Sequence, residues 1–547
     1  MLAPGLAEQP HRRLAALSQT YGDVMTVNFG REPWLVLSSP EAVHEAFVTK
    51  GGDFAGRPQV ASMSLSAGNG RAGFGRPLPD AGLRELRRAA YSTLFSDEAV
   101  AAKQSELEAE AHLLSDHLLA TSGTGEPLRP SLRRCVGNMV LRFAFSSRVP
   151  YASEEGAAAP PAPIAELLRL TEAIWDSLAA TPTTVLDLLG VPSDNAAREP
   201  LRRLVGQRDA VLRQVIADRR AQRRGSASVA AASPASDMLD VLLASDLPEA
   251  DVLYALVDLF VAGVSTVSTT LEWLLLLTAS QPLVQERARS DALCAGSGYV
   301  GALTKEVLRA KPPLLLPRTA TVETSLRGFR VPRGCVVYAN NWALAHSEAH
   351  WHEPSAFRPE RWLREERGAA RGAASCKFIP FSVGQRACPG VRLAEAELEA
   401  ASRVLLRSLR WRRAGHLPVD LDEEYGLTLA PALKQSLHFS RVAGKAAGGG
   451  GSGRRARAAA PTMKVGRGGE SDGRPRRATR RQQIASVEEA GAVAGERLAE
   501  AGSDRRGGWR ASKAKGNRRN RRYENRLLRG AVGEWTGGEP DDDADSF

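Results

Sequence analysis

Cysteine is scarce in this sequence, and what there is does not pair. Cys135, Cys294, Cys335, Cys376 and Cys388 are an odd number at wide, irregular spacing, which excludes a disulfide framework and a CxxC zinc site and points to a reducing compartment. Long apolar runs are scarce too. Residues 1–8 approach neither the roughly 20 apolar residues that span a bilayer nor the charged-then-apolar order of a secretory signal. The most apolar stretch, Leu253 to Leu277, carries Asp258, Glu272 and a Ser/Thr cluster, and reads as a buried helix. There is no internal repeat.

Net charge is nearly absent from most of the chain. Residues 443–547 hold 23 Lys and Arg against 14 Asp and Glu, so +9 of the total +11 lies there and residues 1–442 are close to neutral. That placement argues against a nucleic-acid-binding body, whose folded part would have to carry the basic footprint. With 547 residues and 43% hydrophobic composition, the chain is long enough for one large core or two to three ordinary domains.

Periodicity divides the chain. VMTVNF and WLVLSS, within residues 24–39, read as a hairpin, and Ser39-Pro40 then caps a helix running to about Lys50. A Gly/Ser/Pro-rich loop over 57–82 leads to a basic helix at Leu83 to Phe95. From about 98 to 290 the pattern is helical, broken at Gly156 to Pro163 and at 219–236. Strands return after Pro317, where SLRGF and CVVYAN flank Pro332-Arg333-Gly334, and a last long helix spans Val391 to Leu409. The fold class expected is mainly α with small β-sheets. Residues 443–547, with GGGGSG, many Arg and a DDDADS end, bury too little apolar surface to offset chain entropy and are expected to be disordered, with a short helix over Ala485 to Ala501.

The chemistry concentrates in Phe381 to Gly390, FSVGQRACPG, where a lone cysteine stands between two glycines with Arg386 two residues before it. A thiolate is a soft, strongly donating metal ligand, and a helix beginning at Val391 would aim backbone N–H groups at the Cys388 sulfur. Read alone, Cys388 would be a buried structural thiol. As a string, Phe381, Gly384, Arg386, Cys388 and Gly390 fill all five fixed positions of F-x-x-G-x-R-x-C-x-G, and the segment resembles the haem-thiolate signature of cytochromes P450.

Other segments resemble the same family in the same order. Glu306 and Arg309 are similar to its E-x-x-R pair, and i,i+3 spacing puts both on one helix face. Arg361, in FRPERW, matches the arginine that closes this pair into a buried structural triad. Ala262-Gly263-Val264-Ser265-Thr266 resembles the oxygen-activation motif, whose glycine opens a kink and whose threonine, here Thr266, bonds the bound dioxygen; Ser265 stands where the family usually has an acid. Arg87, in LRELRR, matches a propionate-binding arginine, with Leu83 replacing the usual tryptophan, and Arg318, in LLLPR, matches another.

The resemblance implies a P450 fold over 1–442, with a long central helix and the cysteine helix enclosing haem. It further implies a monooxygenase that takes O2 and NADPH-derived electrons through a separate reductase and acts on a lipophilic substrate. The pocket would be lined from 57–80, 165–220, Val261 to Ser265, Pro312 to Leu316 and Thr428 to Ala432. Without an apolar anchor at its start, the chain is expected to be intracellular, cytosolic or peripheral on the endoplasmic reticulum. Two other readings stay open. Ser265 in place of an acid suits a haem-thiolate isomerase or dehydratase that acts on lipid hydroperoxides without O2 or reductase. Lys513 to Arg529, with Trp509 and Tyr523 interleaved, suits a haem-poor scaffold whose tail binds nucleic acid or membrane.

Overall fold

The computed structural model describes residues 9–442, apart from 30–31, 59, 67–73, 75, 77–79, 94, 155, 181–197, 226–236, 295–297, 314, 366–371, 416–417 and 427. The readings made for 443–547 lie outside the described residues, as does much of the 57–82 loop. Helices dominate, and small sheets lie toward the two ends of the described chain. The chain is therefore mainly α with small β-sheets.

The central element is the 32-residue helix Glu249–Ser280. Glu249 and Asp251 occupy its first turn, where the N-terminal dipole favours acids, and it ends at Gln281 because Pro282 follows. It packs against Leu128–Phe145, Val391–Ser408 and Tyr299–Ala310. Leu271, Trp273, Leu274 and Leu275 are buried in one apolar cluster; Val257, Phe260 and Val264 are buried in another. By length and composition this helix, with mean hydropathy 1.7, is the one among those described that is long and apolar enough to cross a membrane, but much of it is buried in the fold.

A four-stranded sheet runs in the order Val24–Phe29, Glu32–Leu37, Val336–Ala339, Arg318–Thr319. Val24–Phe29 and Glu32–Leu37 pair antiparallel as a hairpin, whereas Trp34 pairs with Val336 in parallel register. The second strand stops at Leu37 because Ser39 leaves the sheet to cap a helix, its Oγ accepting from the Ala42 N–H at 3.3 Å. That helix is α only over Pro40–His44 and widens to a π-helix over Glu45–Thr49. SLRGF does not pair with CVVYAN. It folds on itself as the hairpin Thr324–Leu326 with Phe329–Val331, since Arg327 and Gly328 both take positive φ.

A buried ion cluster ties the first helix, Pro10–Tyr21, to the end of the fold. Glu423 accepts from Arg12 and from Lys311 Nζ (2.6 Å), and His11 Nε2 lies 3.3 Å away. Burial alone would push the Glu423 carboxyl up, but the hydrogen bonds from His11, Arg12 and Lys311 outweigh it and hold the group far below the usual carboxylate range. A depressed folded pKa stabilises the protein above the unfolded glutamate pKa of about 4.3, and that contribution fades as pH falls below it. Glu423→Gln is therefore expected to lower the melting temperature at neutral pH and to flatten its fall between about pH 5 and pH 2. Melts across that range check this; parallel curves for the two proteins would refute it.

Candidate functional site

Cys388 sits at the end of a loop shaped by its own backbone. Its N–H donates to the Phe381 carbonyl (2.9 Å), Gly384–Arg386 forms a 3-10 turn, and the helix Val391–Ser408 begins just beyond Gly390. Gly384 has φ +68°, and a Cβ there would lie 1.8 Å from the Phe47 carbonyl oxygen, so no other residue fits without moving the π-helical turn. That requirement comes from a contact within the protein. Around Gly390, by contrast, a Cβ would meet nothing within 4 Å.

The Cys388 thiol is pushed up by burial, against the opposing pull of the Gly390 N–H and of Arg87.

Four arginines converge near this loop with no acid among their described hydrogen-bond partners. Arg87, on helix Ala81–Thr93, donates to Gln385 O (2.5 Å) and Ala387 O (3.1 Å), and its Nε has no partner among the described residues. Arg318 donates to Ser382 Oγ (2.9 Å) and Val383 O (2.6 Å), lies over the Phe47 ring, and leaves Nη1 without a partner among the described residues. Arg386 donates to Ala55 O and Arg76 O. Arg57 joins them through Leu316 O and Pro317 O. Burial, then their mutual repulsion, brings Arg318 and Arg386 down to about 9; burial and Arg87 bring Arg57 to about 10. Among the described residues, the hydrogen-bond acceptors of all four are carbonyls or a hydroxyl. The sequence reading missed Arg57: a single arginine in a Gly/Pro-rich loop carries no local signal. Leu83 is fully buried and faces the core.

On the central helix, Tyr254, Asp258, Ala262, Thr266 and Thr270 form one i,i+4 row that keeps partial exposure, while most of their neighbours are buried. Thr266 donates to Ala262 O at 2.7 Å. Ser265 is buried, off this row, and its carbonyl accepts from Ser268 Oγ. The helix runs through Gly263 as uninterrupted α-helix, where Val140 Cγ2 would stand 3.4 Å from an added Cβ.

Glu306 is fully buried and receives a full set of donors. Arg309 donates through Nε and Nη2 (both 2.9 Å), the Arg358 N–H at 2.8 Å, Arg361 Nε at 3.2 Å, and Trp362 Nε1 at 2.9 Å. Trp362 and the Arg358 amide were not anticipated as members of this cluster. Arg309 in turn caps the carbonyls of Ala345, Pro354 and Ala356, which pins the meander leading toward Cys388.

Compared with known proteins, residues 1–437 match the family model described as cytochrome P450. The chain belongs to the cytochrome P450 family. It is 29% identical to "Cytochrome P450 1A1" of Balaenoptera acutorostrata, over 78% of this chain and 87% of the relative, and 32% identical to "Cytochrome P450 78A11" of Oryza sativa subsp. japonica, over 77% and 80%. Among solved structures, a zebrafish cytochrome P450 with abiraterone has TM-score 0.65 at 26% identity, covering 79% of this chain and all of that one. This P450 is thus an oxidoreductase of the haem-dependent monooxygenase family. The comparisons lend no support to the isomerase or scaffold readings. Its residues also fit the cofactor that the family implies. Two buried and two partly buried guanidiniums, whose described partners include no acid and which carry two nitrogens without a described partner, suit the two propionates of haem, and a partly buried thiol beside open space at Gly390 suits an iron ligand.

Proposed function

We propose that this P450 inserts one atom of O2 into a lipophilic organic substrate, with NADPH-derived electrons delivered by a separate reductase. The observation that carries the reading is the acid-free cluster of Arg57, Arg87, Arg318 and Arg386 against the Cys388 loop. When bound, haem supplies O2 binding and its reductive activation. Cys388 would hold the iron. The four arginines would neutralise the propionates, and Phe381, Gly384 and Gly390 shape the loop. Glu306, Arg309 and Arg361 are structural.

Ala262 and Gly263 give the central helix a small-residue surface beside the reacting centre. Thr266 Oγ, held by Ala262 O, is placed to pass a proton toward that centre. Ser265 has a hydroxyl where a carboxylate is usual, so the proton reaches Thr266 through hydroxyls and water, and coupling of electrons to product is expected to be lower than with an acid there. The catalytic body is residues 1–442, with 443–547 as a basic tail. A site on the endoplasmic reticulum surface, beside such a reductase, belongs to the same reading.

The test supplies the purified full chain with NADPH, a P450 reductase, 18O2 and a panel of lipophilic probes. The expected result is reductase-dependent product carrying one labelled oxygen. Turnover of a fatty-acid hydroperoxide without reductant, and no label incorporation, would overturn the proposal.

A further inference from the structure

Behind the row that carries Thr266, the central helix buries a second polar line. Ser265, Ser268 and Glu272 follow i, i+3, i+7 spacing, which places them on a single face. All three are buried, and Glu272 is only 1% exposed. The helix Leu128–Phe145 packs along the central helix in the opposite direction, since Val140 stands beside Gly263 and Arg129 beside Glu272. Arg129 Nε donates to Glu272 Oε2 at 2.8 Å, and Arg129 Nη2 donates to the Pro431 carbonyl at 2.8 Å. Glu272 Oε1 has no hydrogen-bond partner among the described residues. Burial pushes the carboxyl up, against the pull of Arg129.

This line runs from solvent toward the reacting centre. Arg129 keeps 16% of its side chain exposed, so water reaches the outer end. Helical side chains lean toward the N-terminus, which brings Glu272 back over the turn that holds Ser268. Ser268 Oγ donates to the Ser265 carbonyl at 3.3 Å, and Thr266 is the next residue. The rise from Ser265 to Glu272 is about 10 Å, divided near its middle by Ser268. A hydroxyl both accepts and donates, so the two serines can hand on a proton that neither can store. Asp258 is the other acid within two turns of Ser265. It stands on the row of Thr266, accepts from the Phe74 N–H, and is separated from Thr266 along that row by Ala262, which relays nothing.

We infer that Glu272 supplies the protons that an acid at position 265 would otherwise supply, passing them through Ser268 and Ser265 to Thr266. In each transfer the O–H bond of the Glu272 carboxyl breaks as one forms on the next hydroxyl or intervening water. Bulk water returns a proton past Arg129, so the carboxyl is unchanged over a turnover. Glu272 acts through other side chains, and its effect therefore shows in proton supply rather than in substrate affinity. This deepens the monooxygenase reading and rests on it.

The test uses the haem-loaded full chain with P450 reductase, NADPH and the lipophilic probe into which the wild type inserts most 18O. Product per NADPH, hydrogen peroxide, KM and the solvent isotope effect are measured. Glu272→Gln, whose amide oxygen still accepts from Arg129, is expected to lower product per NADPH about tenfold, less than the loss of a direct general acid because water still supplies some protons. Peroxide should replace the product, the solvent isotope effect should grow, and KM should stay unchanged. Adding Ser265→Asp to Glu272→Gln is expected to bring coupling back to within about twofold of the wild type. A merely structural Glu272 gives no such rescue. Unchanged coupling in Glu272→Gln overturns the inference, as does a loss that Ser265→Asp leaves in place, or a larger loss from Asp258→Asn. Should Glu272→Gln fail to fold, Ser268→Ala, which leaves the Arg129 pair intact, decides: it too must lower coupling and raise peroxide. No labelled product from the wild type would overturn the monooxygenase reading itself; labelled product with equal coupling in wild type and variant overturns only the role of Glu272.

Discussion

Cys388→His is expected to lose entirely the strongly red-shifted Soret band that the wild type shows on dithionite reduction under carbon monoxide. The band depends on ligation of the iron by a thiolate, and imidazole is a neutral, weaker donor. Cys135 and Cys376 cannot substitute. Both are buried, both thiols are pushed up by burial, and neither lies in a loop approached by the four arginines. Those arginines make the experiment informative, because Arg57, Arg87, Arg318 and Arg386 do not depend on the Cys388 side chain and should still retain haem at reduced occupancy. The expected signature is a haemoprotein with a shifted band; an unchanged thiolate band in Cys388→His would eliminate Cys388 as the ligand.

Glu306→Gln is expected to have the largest effect on stability. The carboxylate is fully buried and is the acceptor for two guanidiniums, an indole N–H and a backbone amide. Replacing one oxygen by an NH2 group turns acceptors into donors facing donors and leaves Arg309 and Arg361 without a counter-charge. Breaking such a buried pair costs about 3–5 kcal/mol. Arg309 also holds the Ala345, Pro354 and Ala356 carbonyls, so the damage should reach the meander before Cys388 and reduce haem occupancy. Denaturant unfolding of wild type and variant measures the first effect, and the ratio of Soret to protein absorbance the second. Arg361→Lys, which keeps a cation near Glu306, should cost less. Equal, small losses for both would show that the cluster is not the keystone its geometry describes.

How far the site could be read in advance differs from residue to residue. FSVGQRACPG was legible because its five fixed positions fall within ten residues, so the local chain encodes the loop. Glu306 and Arg309 share a face by helical spacing, but their link to Arg361 crosses 52 residues and was inferred only by resemblance; the Trp362 indole on the same carboxylate was not foreseen. Arg57 was invisible, since nothing near it in sequence marks it as one of four converging cations. The widening to a π-helix at Glu45–Thr49 and the clash that makes Gly384 obligatory are two sides of one contact, Phe47 O against Gly384, between segments more than 300 residues apart. The pairing of Trp34 with Val336 is equally remote, and parallel strands carry no turn signal between them.

By itself the sequence determined what depends on near neighbours: the helical periods, the Ser39-Pro40 cap, the cysteine loop, the uneven charge and the choice of family. Only the tertiary structure decided which distant charges meet, which glycine is indispensable and why, and that Arg208 is buried against Asp209 and the Ser66 carbonyl. Helix period and capping are settled by hydrogen bonds within a few residues. The gathering of Arg57, Arg87, Arg318 and Arg386, and the burial of Arg208, depend on how whole helices and loops pack, and that is decided by the burial of apolar surface across the entire chain.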